Sequence, residues 1–381
     1  MDLDNFEPVA RIIVIGVGGA GNNAVNRMVD ENIENVEFYV LNTDKQALAT
    51  SKAPHRIVIG ENITNGLGAG GDPEVGRQAA EASRDVIAEI VKGANMVFIA
   101  AGMGGGTGTG ASPIIASIAK EAGALTVAIV TRPFTFEGKA RIAHSVTGLN
   151  DLKAAVDSII IVSNDKLLAA NGNSPMSVAF AESDKVLAQS VKTVTDLILL
   201  PAMINLDFAD VRSTLKGSGI ALIGFGMGEG PNKAADAAEN AINSPLLEAS
   251  ISGARRANCS ITAGENVSLF EAQECVNRII DQAGGAIDVK FGMSLNPHLN
   301  DTLLVSVIAS DFTEEYDFTV VPTYSSLRRE ASSYGGLGAG EAFRPSFGEE
   351  KKEEEPVTEE PDSIVNSILP DFLSGKVLPD E

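Results

Sequence analysis

Two glycine clusters carry the first chemical signal. The run Gly16-Val17-Gly18-Gly19-Ala20-Gly21-Asn22-Asn23 follows an apolar stretch and opens a helical one. Glycine at such a junction lets backbone approach an anion closely. The helix start adds free N–H groups and partial positive charge. Read literally, the run fits G-x-G-x-x-G, and Asp44 stands about 20 residues on, where a dinucleotide-binding fold places its ribose carboxylate. A tight strand-to-helix turn without ligand is the plain alternative.

The second cluster is Ala101-Gly102-Met103-Gly104-Gly105-Gly106-Thr107-Gly108-Thr109-Gly110, with six glycines in ten residues. That density destabilises a loop unless it needs positive φ or wraps something closely. Successive backbone amides with the hydroxyls of Thr107 and Thr109 make an anion cradle. A side chain at Gly106 is expected to intrude where backbone meets phosphate. One dinucleotide needs one phosphate loop. Two such loops on adjacent strand ends suit a di- or triphosphate, and a flexible hinge is the alternative. A third stretch, Gly66-Leu67-Gly68-Ala69-Gly70-Gly71-Asp72-Pro73, could close over a terminal phosphate. An Asp-Pro pair opening a helix is also common in its own right.

Carboxylates form a further candidate group. Asn205, Asp207 and Asp210 stand at or just before a helix start, and the two aspartates, three apart, can project together. The structural reading is a capping box with Asp207 as N-cap.

The elements that must position these residues follow from apolar patterning. Residues 11–17, 36–41, 96–101, 125–131 and 158–162 read as buried strands, and 20–30, 74–92 and 112–122 as helices. Such alternation implies a parallel sheet with helices on both faces and ligands at its carboxyl ends. A long helix then starts at Ser174 and Pro175 and stops at Pro201, with Phe180, Leu187, Val191, Val194 and Ile198 as one apolar stripe. About 26 residues at 1.5 Å each give a rod of roughly 39 Å. A second α+β unit follows, with strands at 219–226, 258–262, 288–291 and 302–309 and helices at 232–242 and 268–283. A smaller mixed sheet is expected there. From about residue 315 the chain turns Ser/Gly-rich and then charged, the composition of a disordered linker.

Composition narrows the function classes. The 381 residues carry a formal charge of −22, which argues against nucleic acid or an anionic membrane as a direct partner. Cys259 and Cys275 are the only cysteines, too few for a disulfide framework, and His55, His144 and His298 are scattered, so no metal site is expected. The first residues, Met1 to Glu7, are acidic and lack an apolar core, so no signal peptide is expected. No apolar run approaches the ~20 residues of a membrane span. The expected address is the cytoplasm of a prokaryote, without direct membrane insertion.

The text around the second cluster sharpens the reading. The run from Gly104 to Gly110 resembles the signature loop of the tubulin/FtsZ GTPase family. With it stand Asn42-Thr43-Asp44, Gly68-Ala69-Gly70, Arg132-Pro133-Phe134-Thr135-Phe136-Glu137-Gly138, Asn164-Asp165-Lys166 and Asn205-Leu206-Asp207-Phe208-Ala209-Asp210-Val211. In order and spacing, over about residues 9 to 312, these are similar to the family's bacterial cell-division members. The resemblance implies an α/β fold: a Rossmann-like parallel-sheet GTPase domain over 1–173, a central connecting helix over 174–200, and a smaller α+β domain with a mixed sheet over 201–315. A disordered linker over 316–362 and a partner-binding peptide over 363–381 complete it.

It also implies roles. Gly19, Ala20, Gly21, Asn22, Asn23, Gly104, Gly105, Gly106, Thr107 and Gly108 would line the phosphates of GTP or GDP, with Asp44, Ala69, Gly70, Gly71, Thr131 and Pro133 around them. Ala20 replaces a glycine of many relatives, and its methyl is tolerable at negative φ. Glu137 and Arg141 would contact the ribose and phosphate side, and Asn164, Phe180 and Asp184 would hold guanine. A carboxylate at Asp184 accepts from both the ring N–H and the exocyclic amine of guanine, whereas adenine offers the wrong edge. Asn205, Asp207 and Asp210 would enter the nucleotide pocket of the next subunit and orient the attacking water. Mg²⁺ would come through the phosphates rather than a protein metal site. Partners would be further copies, head to tail, and membrane-tethering and regulatory division proteins at the mid-cell ring.

The tail supports that last point. Ile364, Ile368 and Phe372 step by four, as do Val365 and Leu369, and Leu369-Pro370-Asp371-Phe372-Leu373 resembles the family's C-terminal docking peptide. Only Lys376 remains of the usual basic residues after it. A tubulin-like role such as shape control, an NAD-dependent oxidoreductase and a non-catalytic filament are the competing readings. The second cradle and the lack of a hydride-transfer histidine oppose the oxidoreductase. Asp207 and Asp210 oppose the inert filament.

Overall fold

The computed structural model describes residues 10–170, 175–199, 202–244, 247–264, 266–313 and residue 317. Apart from residue 317, the linker and peptide read at 316–381 lie outside them, as do Ser174 and Pro201 at the ends of the long helix. The first part of the chain runs β1 (Ile12–Val17), α1 (Gly18–Asp30), β2 (Glu37–Asn42), α2 (Lys45–Ala49), β3 (His55–Val58), α3 (Glu61–Thr64), α4 (Pro73–Ala82) and α5 (Arg84–Val91). It continues with β4 (Met96–Gly102), α6 (Thr107–Glu121), β5 (Leu125–Arg132), α7 (Lys139–Ala155), β6 (Ser158–Ser163) and α8 (Asn164–Ala170). The central helix is α9 (Met176–Leu199), followed by α10 (Phe208–Leu215), β7 (Gly219–Glu229), α11 (Lys233–Ile242), β8 (Ala254–Ala263), α12 (Leu269–Gln282), β9 (Asp288–Leu295) and β10 (Thr302–Phe312).

Strands β1 to β6 pair in parallel, in the spatial order β3-β2-β1-β4-β5-β6. The order runs outward in both directions from the β1–β4 boundary. Along β1, Ile12 and Val14 enter one core with α1 and α9, while Ile13, Ile15 and Val17 enter another beneath α4, α5, α6 and α7. Burial on both faces explains why the strand is a continuous apolar run rather than an alternating one.

The second unit is mixed, as expected: β10 runs antiparallel to β7 and β8, and β8 runs parallel to β9. It is not a separate sheet. Ser158, Ile159 and Ile160 of β6 pair in parallel with Gly219, Ile220 and Ala221 of β7, so all ten strands are continuous. Helices α11 and α12 close its outer face around Ala237, Ala241, Cys275 and Ile279. Leu187, Val191 and Val194 of α9 are fully buried in one cluster with Ile129 and Val162 of the first unit and Ile223, Leu304 and Ile308 of the second. That shared core makes α9 the spine between the two.

Three further expectations are corrected. The helix read at 74–92 is two helices, because Ser83 leaves helical geometry at φ −108° and ψ 14°. Its hydroxyl accepts from the Gly60 N–H at 2.9 Å. Phe180 does not share the core of the α9 stripe; it is 40% exposed and meets Phe134 edge-on, with centroids 5.0 Å apart. Both glycine clusters also lie partly inside helices, since α1 begins at Gly18 and α6 at Thr107.

Candidate active site

The β1–β4 boundary is the topological switch point of the parallel sheet, where open α/β folds bind ligands at the carboxyl ends of the strands. Both glycine loops start there, one after Val17 and one after Gly102. Gly18 has φ +71°, and a Cβ on it would stand 2.8 Å from the Gly108 nitrogen, so the loops touch. The glycines then divide by what they face. A Cβ would stand 2.3 Å from the Ala100 carbonyl oxygen at Gly21, 2.7 Å from that of Gly102 at Gly108, and 1.8 Å from that of Pro73 at Gly110. These positions let the chain approach itself. Gly106 belongs with them, because its Cβ would meet Ala69 Cβ at 2.8 Å and the Asp72 nitrogen at 2.9 Å. A side chain there collides with protein before it reaches any phosphate. Gly19, Gly70, Gly71 and Gly105 face open space, with nothing within 4 Å of a Cβ. Their backbone is the part a ligand can approach.

The threonine hydroxyls brace the cradle. Thr109 Oγ1 accepts from the Gly104 N–H at 2.8 Å, and Gly104 holds φ +99° with Arg141 and Pro133 packed against it. Thr107 Oγ1 lies 2.7 Å from Thr43 Oγ1 in a buried contact. The Thr43 carbonyl accepts from the Gly68 N–H at 3.1 Å and from Thr64 Oγ1 at 3.2 Å. Thr43 therefore ties three loops together. Asn22 is buried, and with its amide turned to satisfy both partners it donates to the carbonyls of Gly18 and Gly16 at 2.9 and 3.3 Å. Ala20 lies inside α1 and is not among the residues with positive φ, so its methyl carries no backbone strain. Asn23 is exposed on the next turn. Asp44 caps α2, accepting from the Gln46 and Ala47 N–H groups at 2.8 and 3.3 Å. Oδ1 is committed to the helix start, so Asp44 has a structural role whichever nucleotide the loops hold.

On the β5–β6 side, the Thr131 carbonyl accepts from the Met103 N–H at 2.9 Å and fixes the end of β4. Beyond Pro133, Glu137 accepts from the Phe134 N–H at 2.9 Å and pairs with Arg141 one turn on. Asp165 holds the same loop through the Thr135 N–H at 2.9 Å and the Thr135 hydroxyl at 2.6 Å. Asn164 Oδ1 accepts from the Ser183 hydroxyl at 2.8 Å, so β6 and α9 meet where Phe180 and Asp184 emerge. Asp184 is partly buried, and none of the described residues donates a hydrogen bond to it. Burial pushes its carboxyl up to about 7, with the Arg27 charge working in the other direction. A desolvated carboxyl without a donor is a receptor for a ligand that supplies donors.

Asn205, Asp207 and Asp210 stand elsewhere. Asp207 caps α10 by accepting from the Asp210 N–H at 2.8 Å, and Asp210 accepts from the Asp207 N–H at 3.2 Å. The capping box read from sequence is therefore present. Asn205 Oδ1 accepts from the Ala202 N–H at 2.6 Å. Backbone bonds from Met203 to Met293 and from Met293 to Ile204 stitch this loop to β9. Lys290 of β9 adds an ion pair to Asp210 at 3.0 Å. That pairing, first among the causes, holds the Asp210 carboxyl below its ordinary range. The loop follows the far end of α9, and Asp184 to Leu199 alone spans roughly 22 Å of helix rise. The structure thus brings the three glycine loops, Glu137, Arg141, Asn164, Phe180 and Asp184 together, and sets the 205–210 loop apart.

Sequence reasoning missed Thr43 as the hub of the cradle, Phe134 as the support of Phe180, and Lys290. A bond between residues 64 or 80 positions apart leaves no local signal. Among the described residues, no group of three or more His, Cys, Asp or Glu lies together, and no helix is long and apolar enough to cross a membrane.

Comparisons with known proteins agree with this geometry. A sequence model of the tubulin/FtsZ family, GTPase domain, matches residues 11–172, and one of the FtsZ family, C-terminal domain, matches residues 219–313. The chain is similar to an empty FtsZ dimer structure from M. jannaschii at 38% identity and a TM-score of 0.76, covering 83% of this chain and 94% of that one. CetZ1 from Haloferax volcanii, a GDP-bound monomer, matches at 20% identity and a TM-score of 0.71, over 85% and 99% of the two chains. CetZ2 of the same organism, a GTPγS-bound protofilament, matches at 21% and 0.68, over 85% and 99%. The CetZ likenesses show the fold alone. The chain belongs to the tubulin/FtsZ family of GTP-binding, GTP-hydrolysing proteins that self-assemble as cytoskeletal filaments.

Proposed function

We propose that this GTPase forms head-to-tail filaments of the division ring and completes its hydrolytic site only between two copies. The GTP phosphates lie over the backbone of Gly19, Ala20, Gly21, Asn22 and Asn23 and of Gly104, Gly105, Gly106, Thr107 and Gly108. The loop of Ala69, Gly70 and Gly71, anchored through Thr43 and Asp44, closes from the third side. Glu137 and Arg141, paired with each other beyond Thr131 and Pro133, face the ribose and phosphate side, while Asn164, Phe180 and Asp184 hold guanine. The open cradle at Gly19 and Gly105 fits a polyphosphate. Mg²⁺ would be held through the phosphates, where it neutralises their charge. Asn205, Asp207 and Asp210 of the next copy orient the attacking water, the positioning work that phosphoryl transfer requires.

One observation carries this reading: the guanine-side residues and the carboxylate loop sit at opposite ends of α9, so one chain cannot bring its own carboxylates to its own phosphates. Exposed apolar residues support a contact between those ends. Leu67 (82% exposed) and Phe136 (57%) lie at the nucleotide end, and Met203 (69%) and Leu295 (46%) lie beside the carboxylate loop. The units 1–173, 174–200 and 201–315 are then the nucleotide domain, its spine and the domain that carries the catalytic loop. The 316–362 linker and the 363–381 peptide tether the filament to membrane-associated division proteins in the cytoplasm at mid-cell. Light scattering and phosphate release measured together after GTP addition, across a protein dilution series, test the shared site. Both should rise above a common threshold concentration. Full turnover by dilute monomer would overturn the reading.

A further inference from the structure

Lys290 plays no part in the site as described so far, yet it is bonded to it. It lies in β9, with its side chain 29% exposed. Its ammonium has three donors. One goes to Asp210 Oδ1 at 3.0 Å and one to the Ser213 hydroxyl at 2.6 Å. Asp210 stands in the first turn of α10 and Ser213 in the second, so Lys290 clips the start of that helix to the sheet. The charged side chains shown facing the Asp210 carboxylate are Asp207 in the same capping box and Lys290 across from it. The nearby Arg256 guanidinium is engaged elsewhere, with Asp311 and with the Ser213 carbonyl.

A carboxylate pair that must approach a polyphosphate faces like-charge repulsion, and a cation delivered with it removes that obstacle. We propose that Lys290 enters the neighbouring copy's phosphate site together with Asp210. Its third N–H then meets the terminal phosphate and stabilises the charge that builds there during hydrolysis. This rests on the shared-site reading above. The distance supports it: the Lys290 ammonium lies 3.0 Å from Asp210 Oδ1, so docking that carries Asp210 to a phosphate carries Lys290 with it. A cation supplied in trans to the terminal phosphate is a recurrent device of GTP hydrolysis. Here it would be a lysine anchored on a strand, preset by the very carboxylate it accompanies.

The test uses copolymers of the full chain. Excess Asp210→Ala subunits supply intact nucleotide sites and an inactive loop, and a minor second subunit supplies working loops. Added wild-type subunits should raise phosphate release in proportion to their number. Lys290→Met subunits should give one tenth of that or less, Lys290→Arg subunits at least one third. Monomeric Lys290→Met should bind GTP within twofold of wild type, because Lys290 lies far from its own nucleotide. Ser213→Ala removes the other bond that Lys290 makes and should match wild type. Full or increased turnover with Lys290→Met would overturn the proposal. So would an equal loss with Ser213→Ala, which would make Lys290 a staple of α10 only. If wild-type subunits themselves fail to raise turnover, the shared-site reading falls instead.

Discussion

Asp184 should make guanine-nucleotide binding depend on pH. In the empty protein its carboxyl titrates near 7, because burial penalises the charged form and no described residue donates to it. To hold guanine it must be ionised, since it accepts from two N–H groups. At pH 8 it is about nine-tenths ionised before ligand arrives, and at pH 6 about one-tenth. If the two donors bring the bound carboxyl below about 5, affinity rises about tenfold from pH 6 to pH 8, or about 1.4 kcal/mol. Near pH 7 about half a proton leaves per nucleotide bound.

Calorimetry below the assembly threshold, in two buffers of different ionisation enthalpy, counts that proton. The nucleotide's terminal phosphate titrates in the same range, so the decisive quantity is the difference between wild type and Asp184→Asn. The variant keeps the shape and loses the charge, so its excess pH dependence should vanish and its selectivity over ATP should narrow. Equal slopes in the two proteins would refute the reasoning. The empty protein carries a matching signature. A carboxyl raised from 3.8 to about 7 gives stability that is complete below pH 4 and lost as pH rises through 7, by at most about 4 kcal/mol. GTP should abolish that loss, which melting curves with and without nucleotide would show.

Three further outcomes are expected. Gly19→Ser should fold normally and lose at least tenfold in GTP affinity, whereas Gly110→Ala should lose about 2 kcal/mol or more of stability, because its Cβ would sit 1.8 Å from the Pro73 carbonyl oxygen; thermal melts and nucleotide titrations separate the two. Asp210→Ala should bind GTP within twofold of wild type yet hydrolyse it at least tenfold more slowly, with about 1 kcal/mol of stability lost with its half of the capping box; phosphate release in pelleted polymer reads this. A chain truncated after Pro361 should assemble and hydrolyse GTP as the full chain does while losing recruitment to the division site, which imaging of a fluorescent fusion checks.

Much of the parallel sheet was legible because its strands are buried on both faces and so read as unbroken apolar runs. Ile12 to Val17 is one such run. The edge strand β3 was not, since His55 and Arg56 lie exposed and four residues carry no period. Sequence pattern places the helix starts too late at both glycine clusters. Low helix propensity hides a glycine that is in a helix for reasons of close approach, as Gly21 over Ala100 and Gly110 over Pro73 are. The same positions blur function. Sequence cannot tell Gly106, which needs room for Ala69, from Gly105, which faces open space.

The carboxylates show a different limit. Asp207 and Asp210 satisfy a capping box completely, and nothing local marks them as more. On the proposed reading both descriptions hold, and the first serves the second. A capping box fixes two carboxylates to a helix start that Met293 and Lys290 fix in turn to β9, so the pair is preorganised before any phosphate arrives. The cost of orienting it has already been met in folding, and assembly has only to dock two rigid ends. That arrangement also explains why the guanine end can be left unfinished. Asp184 stays desolvated and unbonded until nucleotide supplies its donors, so the empty protein carries its strain where GTP relieves it. On that proposal, binding completes one end of α9 within a single chain, while hydrolysis waits for the opposite end of another. A GTP-loaded monomer is then expected to be long-lived, with the nucleotide consumed at the interface that assembly makes.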